Sequence, residues 1–349
     1  MSLIQDYIAG KLLSMQHPVL DERRCIDRIQ NRFPCSGCRD ICPSGVFRRG
    51  SADWDRCTGC LLCISSCPAG CISLPGTDLR QWLSVLKSRQ QTVTIACAFS
   101  RQKADLLVSC LHAIPWEYLA LLAVFHHITI FFEGCDLCNF PQDLPLFLHT
   151  LERTKVFLGE DIYAEAVTLT DQPLAADSHA ISRRGFFKLA FSKTTAAAYD
   201  LLPQKADAGP AGLWRRLLAA ACESDREQTF GWMAPQFLEG CNACGICEKT
   251  CPAQAVYRVR DDDDPSVFHM AVFPAKCTEC GLCQKMCPYD GITSPVLHKT
   301  ALPGRPLLHT VGCRICQKCG EPILSPDAAG DVCLKCAASE DRSLSSFWS

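Results

Sequence analysis

The chain has 349 residues with 35 Lys and Arg against 37 Asp and Glu, a formal net charge of −2. That balance excludes the basic field of a nucleic-acid or anionic-membrane binder. It also carries 27 cysteines, an odd number that leaves a thiol over in any all-disulfide scheme. The opening MSLIQDYIAGKLL lacks a basic segment followed by an apolar run and a small-residue cleavage site. Bunched cysteines in such a chain point to metal-type sites in a reducing cytoplasm rather than to a secreted disulfide scaffold.

Residues 1–24 read as an N-terminal helix, and residues 25–80 as the first cysteine-rich domain. In CTGCLLCISSCP, Cys57, Cys60, Cys63 and Cys67 precede Pro68 in the spacing C-x2-C-x2-C-x3-C-P. Two-residue gaps let three thiolates converge on one cluster from a tight loop. The fourth points elsewhere, to a second cluster in two-cluster arrangements. The partner run CSGCRDICP supplies Cys35, Cys38 and Cys42, with Arg32 where a full run would begin. Crossed ligation predicts one complete [4Fe-4S] site from Cys57, Cys60, Cys63 and Cys42. The other has Cys35, Cys38 and Cys67 and needs a fourth donor. Cys25 is favoured, because a donor before Cys35 replaces the missing position from the same side; Cys71 is the competitor. Zinc sites pair C-x2-C knuckles across a longer loop and account poorly for these runs.

Residues 90–172 change character. TVTIA, DLLVS, ITIFF and AEAVTLT read as short buried strands, with helices around PWEYLALLAVFHH and PLFLHTLERTKVFL. Alternating strands and helices imply a small parallel sheet. The apolar stretch 111–132 is interrupted by Pro115, Glu117, His126 and His127, so it reads as a buried helix and strand, not a membrane span. His126 and His127 read as a helix end with exposed or hydrogen-bonded rings. Cys97 and Cys110 end strands, and EGCDLC places Cys135 and Cys138 after the third. Ligands gather at the carboxyl ends of strands in open α/β sheets, so these four thiols are a candidate cluster or metal site. Packed thiols, zinc, or a disulfide-forming pair Cys135 and Cys138 are the alternatives.

Residues 173–232 read as a helical linker. Residues 182–188, SRRGFFK, resemble a twin-arginine export motif, but such motifs act at the N-terminus; Ser182 as a helix N-cap is the simpler reading. Cys222 reads as a packed thiol. In residues 233–300, CNACGICEKTCP gives Cys241, Cys244, Cys247 and Cys251, and CTECGLCQKMCP gives Cys277, Cys280, Cys283 and Cys287. Crossing predicts one site from Cys241, Cys244, Cys247 and Cys287, and another from Cys277, Cys280, Cys283 and Cys251. Alternation on both sides of residues 261–265 predicts a β-hairpin with a solvated acidic turn. In residues 310–340, Cys316-x2-Cys319 and Cys333-x2-Cys336 have zinc-ribbon spacing. Rubredoxin-type iron is the runner-up, and Cys313 is a substitute for Cys316.

Residues 25–75 and 235–295 resemble bacterial two-[4Fe-4S] ferredoxin domains, as found in electron-transfer subunits of larger oxidoreductases. The middle region resembles the small iron–sulfur delta subunit of methyl-viologen-reducing hydrogenases, which implies a [2Fe-2S] cluster there. The expected fold class is α+β: two ferredoxin-like modules flanking a small parallel α/β domain, with a zinc-ribbon-like tail. The expected function is relay of single electrons through four [4Fe-4S] clusters, plus the candidate [2Fe-2S], between redox partner proteins at both ends of the chain of clusters. No catalytic residue is expected, no nucleic acid, and no transmembrane segment of its own. The alternatives are a redox enzyme subunit whose middle-domain cysteines act on a disulfide or sulfur substrate, and a scaffold held together by its clusters.

Overall fold

The computed structural model describes residues 17–29, 34–48, 51–74, 76–88, 90–98, 100, 102–132, 146–171, 213–224, 228–324 and 330–341. The chain divides into two compact units at Trp232 and Met233, with Lys299–Pro303 grouped with the first.

The first unit begins with β1 (Val19–Leu20), α1 (Ile26–Ile29), α2 (Gly37–Ile41), β2 (Phe47–Arg48), β3 (Ser51–Ala52), α3 (Leu62–Ser65), β4 (Ile72–Ser73) and α4 (Gly76–Leu86). Residues 17–24, expected as the end of a helix, instead lead with a strand. Pro18 pushes His17 out of the helical region, and β1 pairs antiparallel with β4, Val19 opposite Ser73 and Leu20 opposite Ile72. The Asp21 N–H then donates to the Cys71 carbonyl at 2.8 Å, which ties the segment bearing Cys25 to the end of the cysteine run. β2 and β3 form a short hairpin between the two runs.

The same unit continues with β5 (Thr92–Cys97), β6 (Leu106–Val108), α5 (Trp116–Phe125), β7 (His127–Phe131), α6 (Leu146–Leu158), α7 (Glu160–Ala166), β8 (Val167–Thr170) and α8 (Leu213–Ser224). The four strands form an all-parallel sheet in the order β6-β5-β7-β8. All five residues of β7 are buried, as strands covered on both faces require. α5 is buried on nearly every side, and Trp82 of α4 meets Tyr118 of α5 edge-on at 5.2 Å. The first cysteine-rich segment and the parallel sheet both fall in the first compact unit. Residues 172–212, including Ser182 and the basic motif after it, lie outside the described residues. β9 (Phe230–Ala234) opens on Phe230, whose ring stacks on Phe157 at 5.2 Å.

The second unit contains α9 (Ile246–Thr250), β10 (Val256–Arg260), β11 (Val267–Val272), α10 (Leu282–Met286), β12 (Val296–Thr300), β13 (Leu307–Gly312), β14 (Arg314–Ile315), β15 (Pro322–Ile323) and α11 (Leu334–Asp341). The predicted hairpin is β10–β11, Val256 opposite Val272. Its turn is closed by Asp261 Oδ1, which accepts from the N–H groups of Asp263 and Asp264 at 3.0 and 2.9 Å. β13 adds a third strand against β11. Residues up to Gly312 thus share a sheet with the hairpin of the second cysteine-rich segment. Val256, Phe268, Met270, Val272 and Val311 form its core, with Cys241, Cys247, Cys251 and Cys277 packed against it. No helix of the described residues is long and apolar enough to cross a membrane.

Candidate metal centres

Three of the runs share one backbone recipe around the second cysteine. Gly59, Ala243 and Glu279 stand before the second cysteine of their runs with positive φ, and Leu61, Gly245 and Gly281 stand after it in the same state. Three residues past the fourth cysteine, Gly45, Gly70, Gln254 and Asp290 are again left-handed. These reversals turn three successive thiols of a loop to one side and let a single helical turn follow. One residue further on, the chain returns an N–H to sulfur. Val46 donates to Cys42 Sγ at 3.4 Å, Ala255 to Cys251 Sγ at 3.2 Å and Gly291 to Cys287 Sγ at 3.3 Å.

The gathering follows the crossed pattern. Burial pushes the Cys247 thiol up to about 12, and neighbouring Cys241, Cys244 and Cys287 add to it. These four line one pocket with Phe237 and Met270. Burial likewise raises the Cys283 thiol, with Cys277, Cys280, Cys251 and Cys247 adding to it. In the first unit, burial raises Cys63, with Cys60, Cys38, Cys57 and Cys42 adding. Burial pushes Cys38 up to about 12, helped by Cys67, Cys35 and Cys25. Each fourth cysteine thus sits with the other run of its pair. Sulfurs held together in a setting that penalises their ionisation fit a cationic metal cluster, which offsets that penalty when it binds. No disulfide joins any of the described cysteines.

The site expected to need a fourth donor has two candidates at hand. Cys25, Cys35, Cys38, Cys67 and Cys71 all line one pocket. Cys25 adjoins Cys35 and Cys38 electrostatically. Cys71 Sγ lies 3.3 Å from Cys67 Sγ, and its hydrogen bonds draw the Cys25 thiol down to about 6 and the Cys67 thiol to about 7.

In the tail, Cys316, Cys319, Cys333 and Cys336 place their sulfurs within 4.8 Å of one another. Cys319 and Cys333 are 3.8 Å apart, matching the edge of about 3.8 Å that a tetrahedron with Zn–S near 2.3 Å requires. The β14–β15 hairpin makes the first knuckle, with the Gly320 N–H on the Cys316 carbonyl at 2.9 Å. Cys313 is not in this group. Its thiol faces the Asn242 carbonyl at 3.6 Å, beside Cys241, because β13 carries it into the ferredoxin core.

In the middle sheet, half-buried Cys97 ends β5 opposite Val108, and buried Cys110 follows β6 by two residues. Cys135 and Cys138 lie outside the described residues. His126 and His127 are buried; Nδ1 of His126 is 2.9 Å from the Gln90 carbonyl, and Nε2 of His127 is 3.1 Å from Thr168 Oγ1. Cys222 is fully buried.

The cysteine spacing does not reveal the residues that let the runs meet. A Cβ on Gly37 would lie 2.6 Å from the Ser66 carbonyl oxygen, and one on Gly291 would lie 2.7 Å from the Cys241 backbone. Arg258 Nη1 donates to the Ala243 carbonyl at 2.8 Å, inside the Cys241–Cys247 loop, and its guanidinium lies over Phe268 at 5.4 Å. A glycine between two cysteine runs is visible in sequence; that it is a crossing point is not.

Comparison with known proteins adds two matches to domain families. Residues 240–291 match the 4Fe-4S dicluster domain and residues 51–73 the 4Fe-4S binding domain. The chain is 31% identical over 61 residues to pyruvate synthase subunit PorD of Methanocaldococcus jannaschii. It is 34% identical over 58 residues to the PorD subunit of Methanothermobacter marburgensis. Each match covers 16% of this chain and 63% of the relative, so the chain spans less than two thirds of the length of either. Neither family match reaches the middle sheet. The chain carries ferredoxin-type 4Fe-4S domains in both of its units, and with them the electron-transfer chemistry of an iron–sulfur protein.

Proposed function

We propose that the chain relays single electrons through four [4Fe-4S] clusters as a subunit of a cytoplasmic oxidoreductase complex. The ligand sets are Cys25, Cys35, Cys38 and Cys67; Cys57, Cys60, Cys63 and Cys42; Cys241, Cys244, Cys247 and Cys287; and Cys277, Cys280, Cys283 and Cys251. A bound cubane accepts and returns one electron. The chain's part is to hold four thiolates, exclude water with the apolar residues packed on them, and aim N–H groups at the sulfurs. Those donors favour the more negative, reduced state. The single observation that carries the reading is the grouping of each fourth cysteine with the opposite run.

The similarity to a pyruvate synthase subunit supports membership of a multisubunit redox enzyme, with a donor at one module and an acceptor at the other. The tail is read as a structural zinc site on Cys316, Cys319, Cys333 and Cys336, with rubredoxin-type iron as the alternative. The middle sheet is read as holding a [2Fe-2S] cluster on Cys97, Cys110, Cys135 and Cys138. Cys97 and Cys110 support this by lying at the carboxyl ends of adjacent strands. The rival assignment makes those thiols a redox-active site for a disulfide or sulfur substrate.

The test is pairwise substitution read by EPR of the reduced protein. Cys287→Ala should abolish the signal that Cys241→Ala abolishes and spare the one lost in Cys277→Ala. If Cys287→Ala removes the Cys277 signal instead, the crossed assignment is wrong.

A further inference from the structure

Half-buried Arg258 stands in β10 opposite Met270, and its backbone N–H donates to Glu248 Oε1 at 3.1 Å. Its side chain reaches the loop that carries Cys241, Cys244 and Cys247. Nη1 donates to the Ala243 carbonyl at 2.8 Å, and the guanidinium lies over the Phe268 ring at 5.4 Å. A Cβ on Gly245 would meet Cζ and Nη1 of Arg258 at 3.2 Å, so the planar group lies against the backbone between Cys244 and Cys247. In the other run, Glu279 and Gly281 stand where Ala243 and Gly245 stand, with the same left-handed backbone. There a Cβ on Gly281 would meet nothing within 4 Å. Each run contributes one glutamate, Glu248 or Glu279, so carboxylates do not separate the two. Lys276, beside Cys277, is exposed and turned onto Tyr257 and Phe273, where solvent screens its charge. The two loops share a backbone and differ by one guanidinium held against it.

We infer that Arg258 sets the order in which the two sites of the second unit are reduced. A single electron given to the pair rests at the Cys241, Cys244, Cys247 and Cys287 site, and the Cys277, Cys280, Cys283 and Cys251 site fills second. The inference rests on the reading that both sites hold [4Fe-4S] clusters. In that step a low-potential one-electron donor is oxidised and the receiving site gains one negative charge; no bond breaks and no proton moves. A guanidinium keeps its charge at any working pH, so it favours the more negative, reduced state throughout. Its bond to Ala243 and its seat on Gly245 hold that charge at one loop. A resting place at one end gives the pair a direction: an electron arriving at the Cys277 site runs on to the Cys241 site.

The experiment is EPR-monitored redox titration with dithionite, alongside iron and sulfide analysis, of the full anaerobic chain carrying Arg258→Met, Arg258→Lys, Cys241→Ala or Cys277→Ala. The signals lost in the two cysteine variants identify the two sites. In the wild-type chain the Cys241 signal should appear at the higher potential. Arg258→Met should keep full iron and make that signal about tenfold harder to reduce, about 59 mV more negative for one electron. The Cys277 signal should move much less. Arg258→Lys keeps the charge without the planar fork and should recover part of the shift. A wild-type chain whose Cys277 site is reduced first overturns the inference. So does Arg258→Met with full iron and an unmoved Cys241 signal, or with equal shifts of both signals. A wild-type chain with no signal sensitive to either cysteine variant overturns the cluster reading itself. Should Arg258→Met lose iron, Arg258→Gln decides, because it keeps an N–H donor without the charge. Full iron with a lowered Cys241 potential supports the inference; a wild-type potential, or loss of iron here too, refutes it.

Discussion

Leu61 occupies a position that glycine fills in two other runs. Its backbone is left-handed, φ 61° and ψ 7°, as are Gly245 and Gly281 at the same place in theirs. An L-residue there costs about 1–2 kcal/mol. The side chain offsets that cost: it is 4% exposed and lines a cavity with Leu74, Trp82, Cys110, Ile114 and Tyr118. Burial of a leucine is worth about 1.5–3 kcal/mol. Leu61→Ala should lose most of that burial and keep the strain, a net loss of about 2–3 kcal/mol. Leu61→Gly should lose the same burial but shed the strain, a net loss of about 1–2 kcal/mol. Glycine should thus be the better tolerated truncation, by about 1 kcal/mol, the reverse of the order in a helix interior. Anaerobic thermal unfolding by circular dichroism reads this as a Tm for Leu61→Gly about 2–4 °C above that of Leu61→Ala, with cluster-loss rates at fixed temperature in the same order. A Tm for Leu61→Ala equal to or above that of Leu61→Gly would refute the reasoning.

Three further outcomes follow from the same geometry. Gly291→Ala should cost about 1–3 kcal/mol or more and remove about four iron, because its Cβ meets the Cys241 backbone at 2.7 Å; full iron loading in that variant would contradict the crossing. Arg258→Met keeps the packing on Phe268 but removes a positive charge and the bond to Ala243. It should lower the potential of the Cys241–Cys287 site by on the order of 1–2 kcal/mol, seen in a redox titration as a shift of one signal. Chelation with a zinc-selective ligand should raise hydrogen exchange in residues 314–323 and 333–336 and leave that in 241–291 unchanged, since a ribbon with so small a core folds on its metal.

The cysteine runs were legible because their chemistry is local: spacing alone brings three thiols of a loop together. The parallel sheet was legible for a similar reason, since TVTIA and ITIFF are compact β-branched runs and the sheet needs no long-range choice of face. The hairpin around Asp261 announced itself by alternation. What sequence could not supply were the contacts set by tertiary pairing. β1 is two residues long, too short to show any period, yet it decides where Cys25 and Cys71 lie. β13 reads as an ordinary approach to the tail, but its register with β11 extends the second module and carries Cys313 away from the ribbon. Leu61 looks like any apolar residue between cysteines until its φ is known. Arg258 is one of many arginines until its partner, a carbonyl inside a cysteine loop, is seen. Sequence favoured Cys25 over Cys71 as the fourth donor because it precedes Cys35, but the β1–β4 pairing beside both cysteines is not visible there.

The measurement that tests the account most directly is iron, acid-labile sulfide and zinc per chain in anaerobically purified protein, with EPR of the reduced state. The account predicts about 16 iron and about 16 sulfide in four cubanes with one zinc, rising to about 18 iron if the middle sheet holds a [2Fe-2S] cluster. Fewer than about 8 iron, with zinc dominant, would contradict it.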